Sequence, residues 1–334
     1  MRKIKNYIPV GIKRLLKKMI KITIYGFPVF DSVVIEISGA CNANCRWCIT
    51  GRTPMLERSQ FFMTPDLFSK IIKRISNEKM ILPRSTLALY SWGEPVLNPH
   101  LSDLCEIAGQ YHFKVGISTN ASRYVELSEC ALRNIGYVHF SVSGMTQETY
   151  GRIHGFDVIS VLKNIQQWCK TFDRMKIKAP RTMVFHVYKF NHTDISEARA
   201  FCSANSIDFF PYYAYFNDWE RSLAYLEQSL PTDIKEQATQ ELELFYVKDH
   251  IAQAPQNYRC PQFNNLVIDE TGQLLTCCVV PRGHPNYSLG HFLDMSLPEI
   301  LEAKRSQQCC IKCLNLGAAW WVNDVMPYKN IHEE

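Results

Sequence analysis

The chain has 334 residues, of which 46% are hydrophobic, with a formal net charge of +5 and thirteen cysteines. This length and hydrophobic content exclude a short peptide or a disordered chain and allow one large core with a small appended domain. Disulfide-rich secreted proteins are usually short, and no small-residue cleavage site follows the first apolar stretch. We therefore expect a cytoplasmic protein with reduced cysteines that bind metal or pack in the core.

The first 21 residues contain eight lysine or arginine residues interleaved with apolar ones. This pattern is typical of a basic amphipathic helix. Two interpretations stay open: residues 1–21 contact the inner face of an anionic membrane as a peripheral segment, or they form a solvated helix packed on the back of the domain. The apolar runs are too short and too interrupted to cross a bilayer.

From residue 32 onward, short β-branched runs alternate with longer helical stretches, which predicts βα repeats around a parallel sheet. The predicted strands cover residues 33–37, 86–90, 114–118, 137–142, 181–188 and 208–213. The predicted helices cover residues 65–75, 101–111, 126–134, 158–172 and 195–205. Thr64 is the expected N-cap of the first of these helices. Six units are fewer than the eight of a closed barrel, so we expect an α/β fold with a partial (β/α)6 barrel.

After residue 216 the pattern changes to a charged helical stretch and then to a cysteine-rich segment. We accordingly divide the chain into four parts. They are a basic N-terminal segment (1–31), the partial barrel (32–216), a helical linker (217–254) and a small C-terminal domain (255–334).

Cys41, Cys45 and Cys48 are spaced CX3CX2C directly after the first predicted strand. Barrels of this kind place their chemistry at the carboxyl ends of the strands. Three thiolates are one fewer than the four that usually hold an iron–sulfur cluster, so one iron stays open for another ligand. Zinc or buried free cysteines remain alternatives, although zinc normally takes four ligands and no histidine lies near the triad in the sequence.

The run Cys41-Asn-Ala-Asn-Cys45-Arg-Trp47-Cys48 resembles the cluster loop of the radical S-adenosylmethionine (SAM) superfamily. The resemblance implies a 4Fe-4S cluster on the three cysteines. It also implies that SAM binds the open iron and is cleaved reductively to a 5′-deoxyadenosyl radical. Further motifs of the family follow in order up to about residue 213.

Three such motifs carry the resemblance. Gly93-Glu94-Pro95 resembles the GGEP-like element that receives the methionyl amino group, with Trp92 in place of the first glycine. Ser118-Thr119-Asn120 resembles the element near the SAM ribose, and Ser141-Val-Ser143-Gly144 with Arg152 resembles the stretch that holds the SAM carboxylate. Ser143 replaces the usual aspartate. Taken singly, each motif is also a common turn or cap. The implied cofactor contacts are Trp47, Gly93, Glu94, Pro95, Ser118, Thr119, Asn120, Ser141, Ser143, Arg152 and Val187.

A second group of cysteines follows the barrel. Cys260 precedes Gly272 and Cys277 in a CX11GX4C run, and Cys310 and Cys313 form a CX2C pair. The hairpin predicted around Gly272 brings Cys260 and Cys277 together, and four thiolates complete either a cluster or a zinc site. The arrangement resembles a shortened SPASM or twitch domain, which implies an auxiliary 4Fe-4S cluster. Two neighbours, Cys278 and Cys309, stay open as alternative ligands. Four cysteines in predicted helices are expected to be buried hydrophobic residues: Cys105, Cys130, Cys169 and Cys202.

A cluster with four cysteine ligands has no iron open for substrate, so we expect it to accept an electron from the substrate, which favours net oxidation. The resemblance to radical SAM dehydrogenases implies that a sugar or aminocyclitol alcohol becomes a ketone. One alternative is cross-linking or epimerisation of a ribosomal peptide, although the 31 residues before the first strand are too few for the usual peptide-recognition domain of about 80 residues. The other is a non-catalytic iron–sulfur or zinc binding module.

The expected partners are a small-molecule or sugar-like substrate and an electron donor such as flavodoxin or ferredoxin, and no nucleic acid. Polar or aromatic residues at strand ends are the candidate substrate contacts. They are Tyr90, His186, Tyr188, Tyr212 and Tyr213.

Overall fold

The computed structural model describes residues 29–324, so the basic segment 1–21 lies outside the described residues. Nine strands form one sheet in the order β6-β5-β4-β3-β2-β1-β7-β8-β9. The strands are β1 (Ser32–Ile35), β2 (Thr86–Ala88), β3 (Lys114–Thr119), β4 (Ile135–Ser141), β5 (Arg181–Val187), β6 (Asp208–Tyr213), β7 (Asn265–Ile268), β8 (Gln273–Leu275) and β9 (Ser288–His291). No helix in the stretch 29–324 has the length and apolar character needed to span a bilayer.

The helices alternate with β1 to β6 and then follow them. They are α1 (Ile49–Arg52), α2 (Pro65–Asn77), α3 (Leu101–Gln110), α4 (Glu129–Asn134), α5 (Gln147–Ile153), α6 (Val158–Arg174), α7 (Ile195–Ala204), α8 (Trp219–Leu226), α9 (Thr232–Glu241), α10 (Val247–Ala252), α11 (Leu297–Arg305), α12 (Gln308–Asn315) and α13 (Ala318–Asn323). Short 3-10 turns cover Met55–Glu57, Pro95–Leu97, His192–Asp194 and Pro261–Asn264.

Strands β1 to β6 are parallel to their neighbours, which confirms the predicted α/β partial barrel. Alternate side chains of each strand pack under the helices, as Leu87 and Val115 do with 0% exposure. Helix α2 shows why the sequence pattern predicted the helices of the barrel. Its apolar residues recur every three or four positions and its core-facing side is fully buried. Thr64 caps it as predicted, because its hydroxyl accepts the N–H of Leu67 at 3.3 Å.

Element ends differ from the prediction where a cap or a proline decides them. Helix α4 begins at Glu129 rather than at 126, because the Ser128 hydroxyl accepts the N–H of Ala131 at 3.0 Å. The predicted charged helical stretch divides into α8, α9 and α10, and Pro231 is the N-cap of α9. Proline at that position fixes the entry to a helix and cannot continue the preceding one.

The cysteine-rich region joins the barrel sheet. Strand β7 pairs in parallel with β1, in the register Val34 to Val267, and in antiparallel with β8. The turn between β7 and β8 contains Gly272 with a φ of +88°, so the predicted hairpin is present. In a sheet of β1 to β6 alone, β1 would be an edge strand with unpaired backbone groups. Strand β7 pairs with this edge.

Candidate active site

The triad Cys41, Cys45 and Cys48 lies in the loop that follows β1. Cys48 is the N-cap of α1, and its N–H donates to the carbonyl oxygen of Cys45 at 3.1 Å. The next residue, Ile49, donates to the carbonyl oxygen of Asn217 after β6 at 3.1 Å. The loop is therefore attached to the carboxyl ends of both the first and the last strand of the barrel.

The three cysteines are partly buried and their thiols are hard to ionise without a ligand. Burial raises the pKa of Cys41 to about 12, with a smaller contribution from the charge of Glu94. Burial also raises the pKa of Cys45 and of Cys48. Thiols lose their protons when they bind a metal centre, so cationic irons would supply the charge that three neighbouring thiolates need here. The donor set fits an iron–sulfur cluster.

Close packing of this loop requires a glycine at position 51. A Cβ atom there would overlap the backbone oxygen and nitrogen of Cys45. The loop can close on itself only because no side chain lies between these two backbones. The sequence prediction missed Gly51, which belongs to none of the motifs.

Arg58 holds the loop from inside and is only 6% exposed. Its guanidinium uses all five of its N–H donors, which is the full capacity of an arginine. The acceptors are oxygen atoms of the loop at 2.7 to 3.0 Å, on Cys41, Ala43, Asn44, Gly51 and Thr53. None of these acceptors is a carboxylate. A positive charge is thus buried beside the triad, where it lowers the pKa of Cys41 and Cys45 against the larger effect of burial.

His154 lies far from the triad in sequence but close to it in the fold. The fold brings its Nδ1 atom to 3.4 Å from the Sγ atom of Cys45. Burial lowers the pKa of His154 to about 3, so the ring is neutral. Its Nε2 atom and the hydroxyl of Tyr150 are buried without a hydrogen-bond partner. Within residues 29–324, no three His, Cys, Asp or Glu side chains are arranged to hold a single metal ion. Thiolates of an iron–sulfur cluster bind separate irons and do not need such an arrangement.

Glu94 joins three of the predicted motifs. Its Oε2 atom accepts the N–H of Asn120 at 2.7 Å, and its own N–H donates to the carbonyl oxygen of Ala40 in the cluster loop at 2.8 Å. The side-chain amide of Asn120 donates to Asn42 Oδ1 at 3.0 Å. The GEP and STN elements and the cysteine loop therefore form one hydrogen-bonded unit.

Trp92, which stands where the resemblance has glycine, connects this unit to the C-terminal region. Its indole N–H donates to the carbonyl oxygen of Val280 at 2.9 Å. Its backbone N–H and that of Gly93 donate to Oε1 of Glu36, at 2.8 and 2.5 Å. Arg282 pairs with the same carboxylate. Glu36 and Arg282 belong to none of the predicted motifs, because their partners are distant in sequence.

Ser143, in place of the usual aspartate, lies two residues after the end of β4 and is fully buried. Its hydroxyl oxygen lies 3.1 Å from Nδ1 of His186 and accepts the backbone N–H of the same residue at 3.0 Å. The other ring nitrogen, Nε2, is hydrogen-bonded to the hydroxyl of Tyr212. Burial lowers the pKa of His186 to about 4, which keeps this chain of three side chains neutral.

Arg152 and Trp47 meet at Glu241, the last residue of α9. The indole N–H of Trp47 donates to Oε2 at 2.9 Å, and the guanidinium of Arg152 lies 3.5 Å from Oε1 and 3.8 Å from the ring centre of Phe190. Arg46 pairs with Oε1 of Glu241 at 2.9 Å. The resemblance assigns the Arg152 guanidinium to the SAM carboxylate. In this structure the guanidinium is paired with the carboxylate of Glu241.

The other predicted contacts divide between the site and the core. Ser118 and Ser141 are half-buried on β3 and β4. Thr119 is buried, and its hydroxyl accepts the N–H of Ala121 at 3.0 Å. Val187 has 0% exposure and packs in the hydrophobic core. Pro95 begins the 3-10 turn after Glu94.

The C-terminal cysteines line one cavity. It is lined by α8, by the segments on either side of the β7–β8 hairpin, and by α12 and α13, and its thiols come from Cys260, Cys277, Cys309, Cys310 and Cys313. Cys278 is not among them, and its Sγ donates to Oε1 of Gln262 at 3.4 Å. The adjacent Cys309 and Cys310 interact, and the hydrogen bond from Cys310 lowers the pKa of Cys309 to about 7. The hairpin therefore brings Cys260 and Cys277 to the CX2C pair.

The cysteines predicted to be core residues are buried in three of four cases. Cys105, Cys169 and Cys202 are buried, whereas Cys130 is exposed. The prediction for Cys130 is wrong because the residue lies on the outer face of the short helix α4, whose inner face is formed by Ala131 and Leu132.

Residues 35–197 match a family model described as the radical SAM superfamily. This segment matches a radical SAM domain and contains the cysteine triad. Members of that superfamily use a 4Fe-4S cluster and SAM.

The chain is also similar to two curated relatives in sequence and to solved structures in fold. The chain is 25% identical over 138 residues to a UPF0026 protein of Helicobacter pylori, covering 40% of this chain and 44% of that protein. It is 28% identical over 120 residues to one of Methanocaldococcus jannaschii, covering 34% and 36%. The matches thus span less than half of either relative. Streptococcus suis SuiB bound to precursor peptide SuiA matches with a TM-score of 0.56 at 17% identity, covering 92% of this chain and 73% of that one. The protein anSMEcpe with bound AdoMet matches with a TM-score of 0.54 at 16% identity, covering 83% and 82%.

The buried carboxyl of Glu94 predicts a pH dependence of stability. Burial raises its pKa from 4.5 to about 7, against the lowering effect of the Asn120 N–H. The folded state binds this proton more tightly than the unfolded state does. Protonated Glu94 therefore stabilises the fold fully below pH 4.5, and this contribution is lost as the pH rises through 7. We expect the free energy of unfolding of the apoprotein to fall by up to about 3 kcal/mol across this window for this carboxyl.

Urea denaturation at pH 5 and pH 8 measures this loss. The difference in unfolding free energy between pH 5 and pH 8 should be smaller in Glu94→Gln than in the wild type. Glu36→Gln should act in the same direction, since burial also raises the pKa of Glu36 to about 7. An exposed Glu129→Gln variant is the control and should keep the wild-type difference. Equal differences in wild type and Glu94→Gln would contradict the assignment.

Proposed function

We propose that this chain is a radical SAM enzyme and an oxidoreductase, which converts a sugar or aminocyclitol alcohol to a ketone with a second 4Fe-4S cluster as electron acceptor. The observation that carries the proposal is the cavity with five cysteine side chains, which joins the cluster loop through Trp92 and Val280. We propose Cys260, Cys277, Cys310 and Cys313 as the ligands and residues 255–334 as the domain that holds them. Four thiolates leave no open iron, which suits electron transfer.

The radical SAM domain prepares the first step. Cys41, Cys45 and Cys48 hold the first cluster, and Gly51 and Arg58 fix the loop that carries them. Glu94 and Asn120, which are hydrogen-bonded to each other and to this loop, would hold SAM. When bound, the cluster and SAM supply a radical that removes a hydrogen atom from the substrate.

Uncharged aromatic and imidazole rings along the strands are the candidate substrate contacts. Tyr90 and Tyr137 contact each other through their hydroxyl groups at 3.1 Å, and Tyr137 stacks on His139 with ring centres 4.6 Å apart. His186 and Tyr212 form a second pair on β5 and β6. Aromatic faces with hydroxyl and imidazole groups suit a polyhydroxylated ring.

Oxidation of an alcohol removes one hydrogen atom from carbon, one proton from oxygen and one electron. We propose that the proton leaves along the hydrogen-bonded pair of Tyr212 and His186, and that the auxiliary site accepts the electron. Ser143 holds the ring in place through its hydroxyl. With serine in place of aspartate and burial lowering the pKa of His186 to about 4, the ring is uncharged.

A second candidate is peptide modification. SuiB is seen with its precursor peptide, and anSMEcpe with the peptide Cp18Cys. In this chain Met55, Leu56 and Phe61 follow the cluster loop and are 52%, 100% and 68% exposed. Exposed apolar side chains next to an active site suit an extended peptide.

One experiment separates the two functions. Reconstituted protein is incubated with SAM and dithionite against a panel of hexoses, cyclitols and amino-substituted cyclitols, and separately against a peptide library. The proposal predicts 5′-deoxyadenosine together with a carbonyl product, which borodeuteride reduces with uptake of one deuterium. Cross-linked or epimerised peptide without any carbonyl product would favour the alternative and overturn the proposal.

We further propose a flavodoxin or ferredoxin as the electron donor and a cytoplasmic location. Contact of residues 1–21 with a membrane surface also stays a proposal. Flotation of the full chain with vesicles containing anionic lipid tests it, and an unbound protein would contradict it.

A further inference from the structure

Lys304, in the last turn of α11, is buried beside the C-terminal cysteines with 1% exposure. Its ammonium donates to the carbonyl oxygen of Thr276, the residue before Cys277, at 2.8 Å. The helix holds the lysine in place, since Ser296 and Glu299 form a capping box at its start and Ile300 is fully buried. The position of the side chain is therefore set by the fold.

The surroundings of this ammonium are unusual for a buried cation. Burial lowers the pKa of Lys304, and four nearby cysteines oppose this effect: Cys277, Cys310, Cys278 and Cys260. A buried charge is costly unless an opposite charge compensates it. The neighbouring groups at this place are thiols, which become anionic when they bind a metal centre.

We propose that Lys304 is a positioning residue that holds the thiolate charge of the auxiliary site and raises the reduction potential of the cluster there. The inference rests on the proposed function, in which this cluster accepts one electron from the substrate. Each added electron makes a four-thiolate cluster more negative, and a fixed ammonium beside it stabilises the reduced state. No bond forms or breaks at Lys304.

The test isolates the auxiliary cluster in the full chain by replacing Cys41, Cys45 and Cys48 with alanine. In this background we compare Lys304, Lys304→Arg and Lys304→Met, each reconstituted anaerobically, by iron content and by EPR-monitored redox titration. The matched control is Lys312→Met, since Lys312 is on the neighbouring helix α12, is half-exposed and pairs with Glu227 at 2.9 Å.

We expect Lys304→Met to shift the midpoint potential to more negative values, while Lys304→Arg and Lys312→Met stay near the parent protein. Loss of iron from Lys304→Met with retention in Lys304→Arg also supports a charge role. An unchanged midpoint potential in Lys304→Met overturns the proposed charge role. Loss of iron from both Lys304→Met and Lys304→Arg also overturns it. Absence of iron from the parent with Lys304 intact would instead refute the auxiliary cluster and hence the proposed function.

Discussion

Replacement of Arg58 by glutamine will prevent stable assembly of the first cluster. The guanidinium makes five hydrogen bonds to the cysteine loop, and its removal leaves buried carbonyl oxygens without donors. Each such oxygen costs about 1–3 kcal/mol, so the ordered loop loses at least about 3 kcal/mol. We expect the rate of SAM cleavage to fall by more than about 100-fold, since 1.4 kcal/mol is a factor of ten.

Iron content, EPR of the reduced protein and 5′-deoxyadenosine formation measure this effect. Arg58→Lys keeps the charge but not the five donors, so it should recover only part of the iron. Arg133→Gln is the control, because Arg133 is exposed and pairs with Glu129 within one helix. Normal iron and turnover in Arg58→Gln would show that the loop forms without the guanidinium.

Replacement of Gly51 by alanine will have a comparable effect through the backbone alone. The added methyl group would overlap the backbone oxygen and nitrogen of Cys45, and neither atom can move without displacing a cluster ligand. We expect loss of most of the iron of the first cluster and at least about a tenfold loss of SAM cleavage, as for a backbone strain of about 1–3 kcal/mol.

Gly151→Ala in α5 provides the matched control. A Cβ atom there meets only the side-chain nitrogen of Gln147, at 3.2 Å, and alanine favours a helix over glycine. This variant should keep its iron. A Gly51→Ala variant with a full first cluster would refute the close packing of the loop.

The strands and helices of the barrel could be predicted because each is specified locally. In α2, for example, the apolar period and the Thr64 cap lie within a few residues of each other. The pairing of β7 with β1 joins residues more than 200 positions apart, and no local pattern indicates it. The same separation explains why Glu36 and Arg282 were missed, since each is ordinary in its own stretch of sequence.

The candidate site shows the same division between features that a local sequence pattern specifies and features that depend on distant contacts. The motifs containing Cys41, Glu94 and Asn120 were recognised, and the fold brings them into one hydrogen-bonded unit. Arg58 and Lys304 carry no motif, and their importance comes from burial, which a single sequence does not display. His154 lies within a recognised stretch, but its contact with Cys45 depends on how α5 packs on the loop.

The central claim is that the chain holds two clusters and that the first one cleaves SAM. Anaerobic reconstitution of the wild type and of the triple variant Cys41→Ala, Cys45→Ala, Cys48→Ala, with iron counting and a 5′-deoxyadenosine assay under dithionite, tests it most directly. We predict about eight irons and turnover for the wild type, against about four irons and no 5′-deoxyadenosine for the variant. Undiminished 5′-deoxyadenosine formation by the variant would contradict the account.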